Sequence, residues 1–426
     1  MSNQTSSKRT PFLWIPSLYF AQGLPFFAVN TLVLYMYKSL GYDNSTIAFW
    51  TGMVGFVWVF KPLWSPFLEL VQSKKFVIIL FQIIGGISLG LLASSLHLPS
   101  FFAVSIAMLF VAAVAAATHD IAADGLYIET LDSVEQAKFV GWMGAAFNIA
   151  RVFSTGALVS LAGYLEKTHN PAAAWSYVYG LAGLMLIAIA LYHTWSLPDV
   201  RSERSSKTAH EIYQTLSEVV IEFFKKPGIW LSILFILLFR AAEGQIQTIG
   251  PLFLKEARAS GGLGLDNAVI GSLYGVIGSL SFIAGSLLGG YFTAKLSLKK
   301  ALPWLVVVMN LPNIVFCFLS MTQTENYFFI ATCLGLEMFG YGFGFVGLIL
   351  YMMQVVAVGK FKTAHYALAT GVMQLGLVIP KMISGEIQTR LGYQNFFIWV
   401  LISAIPVLLM TRFLNIPEKE ASATDN

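Results

Sequence analysis

The chain has 426 residues and a formal net charge of +4; 57% of its residues are hydrophobic and only 11% are charged. Soluble domains carry roughly 25% charged residues, so this composition excludes an ordinary soluble domain and indicates a membrane protein. The small positive charge reflects membrane topology and does not indicate a nucleic-acid-binding patch. Cys317 and Cys333 both lie in apolar stretches, so no disulfide framework is expected.

Apolar stretches long enough to cross a bilayer follow one another along the chain. A transmembrane helix needs about 20 apolar residues, and on that rule we count about twelve spans. Lys8 and Arg9 precede the first stretch as in a signal peptide, but no convincing cleavage site follows, so a retained first helix is expected. The predicted spans are 13–37, 46–68, 76–96, 101–125, 139–163, 175–197, 229–254, 267–294, 301–321, 327–357, 364–387 and 395–414.

The basic residues are unevenly distributed between alternate loops. Cytoplasmic loops are rich in Lys and Arg. With the N-terminus inside, most basic residues fall in inner segments, and the outer loops hold only Lys38, Lys167, Lys255, Arg258 and Arg390. The sequence therefore predicts that both termini are cytoplasmic.

The longest polar segment, Pro198 to Pro227, divides the spans six and six. Four apolar residues in it repeat at helical spacing, which predicts an amphipathic helix at the inner membrane surface. A regulatory partner site is the alternative to a plain linker. The stripe consists of Ile212, Leu216, Val219 and Phe223. The predicted domains are an N-terminal six-helix bundle (1–197), a cytoplasmic linker (198–228) and a C-terminal six-helix bundle with a short tail (229–426).

Seven acidic or basic residues (Asp, Glu, Lys or Arg) lie in the predicted spans away from the span ends. Each costs about 2.5 to 3.5 kcal/mol at the bilayer centre unless it meets a polar partner, so together they indicate a pathway for a solute or ion. Five of them occupy corresponding spans of the two halves, the fourth with the tenth and the fifth with the eleventh, as in transporters built from internal repeats. The seven residues are Asp120, Asp124, Arg151, Arg240, Glu243, Glu337 and Lys381.

Asp120 and Asp124 are four residues apart, so both carboxylates project from one helix face. Two acids this close in a site of low dielectric do not both ionise easily at neutral pH, which suits a proton carrier. The alternative is a set of fixed ion pairs with Arg151 or another cation. His119 either relays protons or forms a hydrogen bond to a neighbouring helix.

In the second half, Arg240 and Glu243 are three residues apart and can neighbour each other. They form either a self-neutralised pair or one that opens for a substrate. Glu337 precedes a glycine-rich stretch that is suited to gating and substrate contact or, alternatively, to tight packing. The predicted proton-coupling residues are Asp120, Asp124, Glu243 and Glu337. The predicted substrate-binding residues are Arg151, Arg240, Lys381, Trp142, Tyr341 and Tyr351.

Lys61 lies between Phe60 and Pro62 near the inner end of the second span, where it either snorkels to the interface or belongs to an inner gate. Glu69 is predicted to close this gate electrostatically with Lys74 and Lys75. The sequence contains no Walker A loop and no G-x-S-x-G signature, so neither ATP hydrolysis nor an intramembrane hydrolase is expected. No histidine or cysteine spacing suggests a metal site, and no cofactor is expected.

Three strings of residues resemble the AmpG-type muropeptide permeases of the major facilitator superfamily. They are Gly23-Leu24-Pro25, Val59-Phe60-Lys61 with Trp64-Ser65-Pro66, and His119-Asp120-Ile121 with Asp124. The resemblance covers nearly the whole chain and implies the major facilitator fold. The chain departs from the family pattern where Arg240 and Glu243 replace Lys and Asp, and where Glu69 replaces Asp.

The resemblance also implies a function. These permeases import peptidoglycan fragments, disaccharides of N-acetylglucosamine and anhydro-N-acetylmuramic acid with or without peptide, using the proton gradient across a bacterial inner membrane. We therefore expect a monomeric proton symporter whose partners are a small-molecule substrate, protons and the bilayer, and not nucleic acid. An acetyl-coenzyme A or other anionic-solute transporter of the same wider family is the alternative, and a non-transporting membrane sensor is a weaker one.

Overall fold

The computed structural model describes residues 10–199 and 209–416, and every regular element in these ranges is a helix. Ten helical runs correspond one to one to the first ten predicted spans, with ends that differ by a few residues. We number these runs spans 1 to 10. They are Pro11–Ser39, Asn44–Leu68, Lys74–Ser95, Phe101–Thr130, Val134–Leu165, Pro171–Ser196, Ile229–Lys255, Asn267–Leu296, Leu298–Thr322 and Tyr327–Val356.

One further helical run, Lys362–Met410, covers the last two predicted spans. Its 49 residues would reach about 70 Å at 1.5 Å per residue, more than twice the thickness of the hydrocarbon core. Gly392 interrupts the run with a φ of 72°, a backbone conformation that favours glycine. We therefore call the parts before and after Gly392 spans 11 and 12, and the predicted twelve spans are present.

Several spans begin at a polar residue that caps the free N–H groups of the first helical turn. Asp132 and Glu135 form a reciprocal capping box at the start of span 5. Asn170 accepts a hydrogen bond from the backbone of Ala173, directly before the proline that opens span 6. Because these polar residues cap the free N–H groups, they define where the helices begin.

The linker contains a helix, Ala209–Phe224, while residues 200–208 lie outside the described part of the chain. Two residues of the predicted apolar stripe, Val219 and Phe223, are buried at 5% and 1% exposure. Phe223 belongs to the same hydrophobic core as Phe235 of span 7. The end of this linker helix therefore packs against protein, and its side towards solvent or lipid carries Ile221 and Phe224.

The described residues group into two compact units. The first takes its residues from Met1–Tyr42, Met53–Gln214 and Asp266–Gly275, and the second from Asp43–Gly52, Thr215–Leu265 and Val276–Asn426. Relative to the predicted halves of the sequence, two short segments have changed places. These are the first turns of span 2 and the first turns of span 8.

Each exchanged segment is held by a buried asparagine at the start of its span. In the second unit, Asn44 donates hydrogen bonds to Gln388 at 2.8 Å and to the hydroxyl of Tyr393 at 2.7 Å. In the first unit, Asn267 donates to Glu166 at 2.9 Å and to Ser39 at 3.2 Å. Spans 2 and 8 are counterparts in the two halves, so the two asparagines occupy corresponding positions.

Candidate transport site

The acid pair of span 4 meets partners from two other spans of the first unit. Lys61 of span 2 places Nζ 3.4 Å from Oδ2 of Asp120. Tyr19 of span 1 donates a hydrogen bond of 3.0 Å to Oδ1 of Asp124. Asp120 is buried at 7% exposure, whereas Asp124, one turn later, is exposed. One acid is thus held in an internal ion pair, and the other is accessible.

Lys61 therefore belongs with the acid pair, and Lys74 and Lys75 of the predicted gate have partners of their own. Lys74, which begins span 3, forms a 2.6 Å ion pair with Glu129 at the end of span 4. Lys75 donates a 3.0 Å hydrogen bond to the carbonyl of Leu197. The side chain of Glu69 lies outside the described part of the structure, so its predicted gate contact with Lys74 and Lys75 stays a prediction.

A second charged cluster lies in the other unit. Arg240 and Glu243 of span 7 form a buried ion pair at 4% and 5% exposure. Gln247 donates to the second carboxylate oxygen of Glu243 at 2.5 Å, so the acid is held from two sides. This is the self-neutralised arrangement of the two that the sequence left open.

Span 10 brings a stripe of residues towards the same arginine. The Tyr341 hydroxyl lies 3.5 Å from Nη1 of Arg240, and the Phe345 ring centroid lies 5.0 Å from the guanidinium carbon. Glu337, buried at 3% exposure, precedes Tyr341 by four residues and shares its helix face. The acid, the phenol and the ring therefore form one stripe along span 10.

Lys381 of span 11 is the most unusual charge in the second unit. Its side chain is buried, with the whole residue 7% exposed. No ion-pair or hydrogen-bond partner of its ammonium occurs among the described residues. A buried cation without a partner is costly, so the position is suited to an anionic group that arrives from outside the chain.

The remaining predicted substrate residues are Tyr351 in the second unit and Trp142 and Arg151 in the first. Tyr351 is 1% exposed, with its hydroxyl 2.8 Å from Ser232 and its ring 4.8 Å from that of Phe235. This aromatic side chain packs in the core, and the placement does not support its predicted contact with substrate. Trp142 is exposed and stands edge-on to Phe12 at 4.9 Å. Arg151 is half-buried at the start of a π-helical turn, Val152–Leu158, in span 5.

Sequence reasoning missed several polar residues around the acid pair. Tyr19 is one tyrosine in an apolar span, with no local signal of its partner on span 4. Gln82 of span 3 lies 3.0 Å from His119 and 2.9 to 3.0 Å from His193 of span 6. The strongly polar side chains of Gln82 and His193 within apolar spans are the signal that could have pointed to them.

The family sequence model of the Major Facilitator Superfamily matches residues 17–385 of this chain. The chain belongs to this superfamily. The relatives include the anhydromuropeptide permease of Escherichia coli K12, 24% identical over 92% of this chain and 77% of the relative. Putative transporter AmpG 4 of Rickettsia conorii is 22% identical over 92% of this chain and 94% of its own length.

Solved structures confirm the major facilitator fold. A point mutant of the nucleoside transporter NupG matches with a TM-score of 0.74 and 15% identity over 95% of this chain and 99% of that chain. A bacterial homologue of the lysosomal transporter Spinster matches with a TM-score of 0.73 and 13% identity, covering 96% and 98%. The relatives and fold neighbours are transporters, so this chain is a multi-pass transporter of the major facilitator type and not an enzyme.

Proposed function

We propose that this transporter imports anhydro-muropeptides or their disaccharide core by proton symport with alternating access. The observation that carries the proposal is the similarity, over 92% of the chain, to a relative named anhydromuropeptide permease. The clusters of charged residues in both units support it, since buried charges in spans are retained where they serve a transport pathway.

The acid pair of span 4 is suited to carry the coupled proton. A carrier needs a group whose proton occupancy changes with its surroundings. Asp124 is accessible and accepts a hydrogen bond from the neutral hydroxyl of Tyr19, whereas Asp120 is held by Lys61. Protonation of either acid would weaken the hold of Lys61 on span 4, which links proton binding to movement of the helix. Glu243 and Glu337 are the candidates for the same role in the other unit.

The second unit offers the chemistry that a wall fragment requires. Such fragments carry carboxylates, amides, hydroxyls and the apolar faces of sugar rings. We assign the carboxylate to Lys381, whose ammonium lacks an ion-pair partner among the described residues, with Arg240 as the second cation. Tyr341 and Phe345 supply aromatic faces beside Arg240. Arg151 and Trp142 stay as proposed contacts in the first unit.

Transport into vesicles tests this function. Vesicles that contain the purified chain are given an imposed proton gradient and labelled disaccharide with or without its peptide. We expect accumulation that a protonophore abolishes. Asp124→Asn and Glu337→Gln should prevent accumulation while preloaded substrate still exchanges. Absence of uptake of either fragment by correctly inserted protein would refute the substrate, and uptake of a coenzyme A thioester instead would favour the alternative.

We further propose the bacterial inner membrane as the location, with both termini and the linker facing the cytoplasm and the monomer as the working unit. The uneven distribution of basic residues supports this orientation. Reporter fusions after Ser206 and after Asn426 should both give cytoplasmic signals. A periplasmic signal at either site would overturn the orientation.

A further inference from the structure

A chain of buried polar groups crosses four spans of the first unit. Nε2 of His119 lies 3.0 Å from Nε2 of Gln82, and the Gln82 amide lies 2.9 to 3.0 Å from Nδ1 of His193. Nε2 of His193 lies 3.0 Å from Oγ of Ser17. His119, Gln82 and His193 are each at most 2% exposed. The chain therefore ties span 4 to spans 3, 6 and 1.

The Gln82 amide joins the two imidazoles of this chain. Its Nε2 lies 3.0 Å from Nε2 of His119 and 2.9 Å from Nδ1 of His193, and the Ser17 hydroxyl beside Nε2 of His193 donates to the carbonyl of Trp14 at 3.1 Å. A neutral imidazole has one donor and one acceptor nitrogen, so the tautomers of His119 and His193 set the direction of each of these bonds. These hydrogen bonds thus connect four helices.

The hydrogen-bonded residues meet span 4 directly beside the acid pair. His119 directly precedes Asp120, and consecutive residues of a helix point about 100° apart. The hydrogen bonds of His119 therefore hold one side of span 4, while Lys61 and Tyr19 contact the two acids on a different side of the same helix. Span 1 takes part in both contacts, through Ser17 and through Tyr19 two residues later. Rotation of span 4 cannot change one set of contacts without changing the other.

We propose that Gln82 and His193 are positioning residues, which hold span 4 so that Asp120 meets Lys61 and Asp124 meets Tyr19. This inference rests on the proposed function, in which the acid pair carries the coupled proton. Gln82 is the bridging member, since its amide contacts both imidazoles. Its loss leaves two buried ring nitrogens without this partner and releases span 4 from spans 3 and 6.

The transport test compares Gln82→Met with Ser88→Ala, a control in the same span. Met keeps the length of the side chain without its polar atoms, and Ser88 bonds to the carbonyl of Ile84 in its own helix at 2.7 Å. We expect Gln82→Met to move the pH midpoint of uptake by about half a unit or more. Its ratio of accumulation to exchange should also fall several-fold, while Ser88→Ala leaves both unchanged. A midpoint and a ratio equal to those of the wild type would refute the positioning role.

A second measurement does not depend on transport. Tyr19→Cys and Asp124→Cys, in a background without Cys317 and Cys333, are joined by a short bifunctional thiol reagent. Adding Gln82→Met should lower the cross-linking yield several-fold, and adding Ser88→Ala should not. An unchanged yield overturns the positioning role. If wild-type uptake is independent of the proton gradient but Gln82→Met still lowers the cross-linking yield, proton coupling is refuted. The positioning of span 4 by Gln82 then stands.

Discussion

The hydroxyl of Tyr19 donates a 3.0 Å hydrogen bond to Oδ1 of Asp124 and so joins span 1 to span 4 at the accessible acid. The ring of Tyr19 is buried in the core of the first unit and stands edge-on to Tyr127 at 6.1 Å. Its body is thus fixed by packing, and only its tip reaches the carboxylate. This geometry separates the structural contribution of the ring from the contribution of the hydroxyl to the site.

Tyr19→Phe tests the hydroxyl alone. The ring contacts should survive, and loss of one hydrogen bond should lower the free energy of unfolding by about 1 kcal/mol. Gradient-driven accumulation should fall more than substrate exchange, because Asp124 loses its donor. Tyr127→Phe is the matched control, since Tyr127 donates to the backbone carbonyl of Gln136 at 2.6 Å. Equal effects of both variants on accumulation would show that the hydroxyl of Tyr19 has no special role.

The ion pair of span 7 predicts that a double variant without both charges is less destabilised than the single variant Arg240→Ala. Arg240→Ala leaves the buried carboxylate of Glu243 without its cation, which typically costs about 3 to 5 kcal/mol. Replacing both Arg240 and Glu243 by Ala removes the stranded charge and should restore much of that loss. Thermal unfolding of the single and double variants measures the difference.

Arg240→Lys separates charge from geometry at the same position. Lysine keeps the cation but loses the planar fork that faces Tyr341 and Glu243. We expect stability near that of the wild type and partial transport. A lysine variant as inactive as Arg240→Ala would show that the guanidinium shape is required.

Lys381→Met should reduce binding without destabilising the protein. Burial of an ammonium without an internal partner opposes folding, so an apolar side chain of similar length should leave the melting temperature unchanged or raise it. Affinity for a substrate that carries a carboxylate should fall about tenfold or more. The affinity for an analogue with that carboxylate amidated is the control and should stay the same. A lowered melting temperature would instead assign Lys381 a structural role.

The free energy of unfolding should depend on pH through Asp43, which lies directly before span 2. Partial burial opposes its ionisation, but hydrogen bonds from the backbone N–H and the hydroxyl of Thr46, at 2.8 and 2.7 Å, outweigh that effect and lower the pKa of Asp43. A lowered pKa contributes stability above the unfolded-state value of about 3.9, and that stability is lost as the pH falls through the folded value.

The melting temperatures of Asp43 variants measure the contribution of this carboxylate to stability. Asp43→Ala should lower stability at neutral pH by about 1 kcal/mol, because the helix loses its N-terminal cap. Asp43→Asn keeps an acceptor oxygen and should lose less. As the pH falls through the lowered folded-state pKa of Asp43, the wild type and the Asn variant should converge, since the acid then becomes protonated. A constant difference between them across this pH range would contradict the assignment.

The spans were predictable from sequence because each is one continuous apolar run with polar residues at its ends. The separation of spans 11 and 12 followed from the polar residues around Gly392. Partners on different spans were not predictable. Lys61 and Asp120 are 59 residues apart, and Gln82 and His193 are 111 apart, so only the packing of helices brings them together. In the stripe of the linker helix, Val219 and Phe223 are buried and the side chain of Ile212 lies outside the described part of the structure. Periodicity does not specify whether protein or lipid covers such a stripe.

The exchange of the first turns of spans 2 and 8 constrains how this gene can recombine. Asn44 is encoded in the first half, whereas Gln388 and Tyr393 are encoded near the end of the second. Asn267 likewise depends on Glu166 from the other half. A chimera that joins one half of this chain to the opposite half of a distant relative would therefore separate both asparagines from the residues that match them. Divergence in each half of the gene is tied to the other through these two contacts, even though a polar linker separates the halves in the sequence.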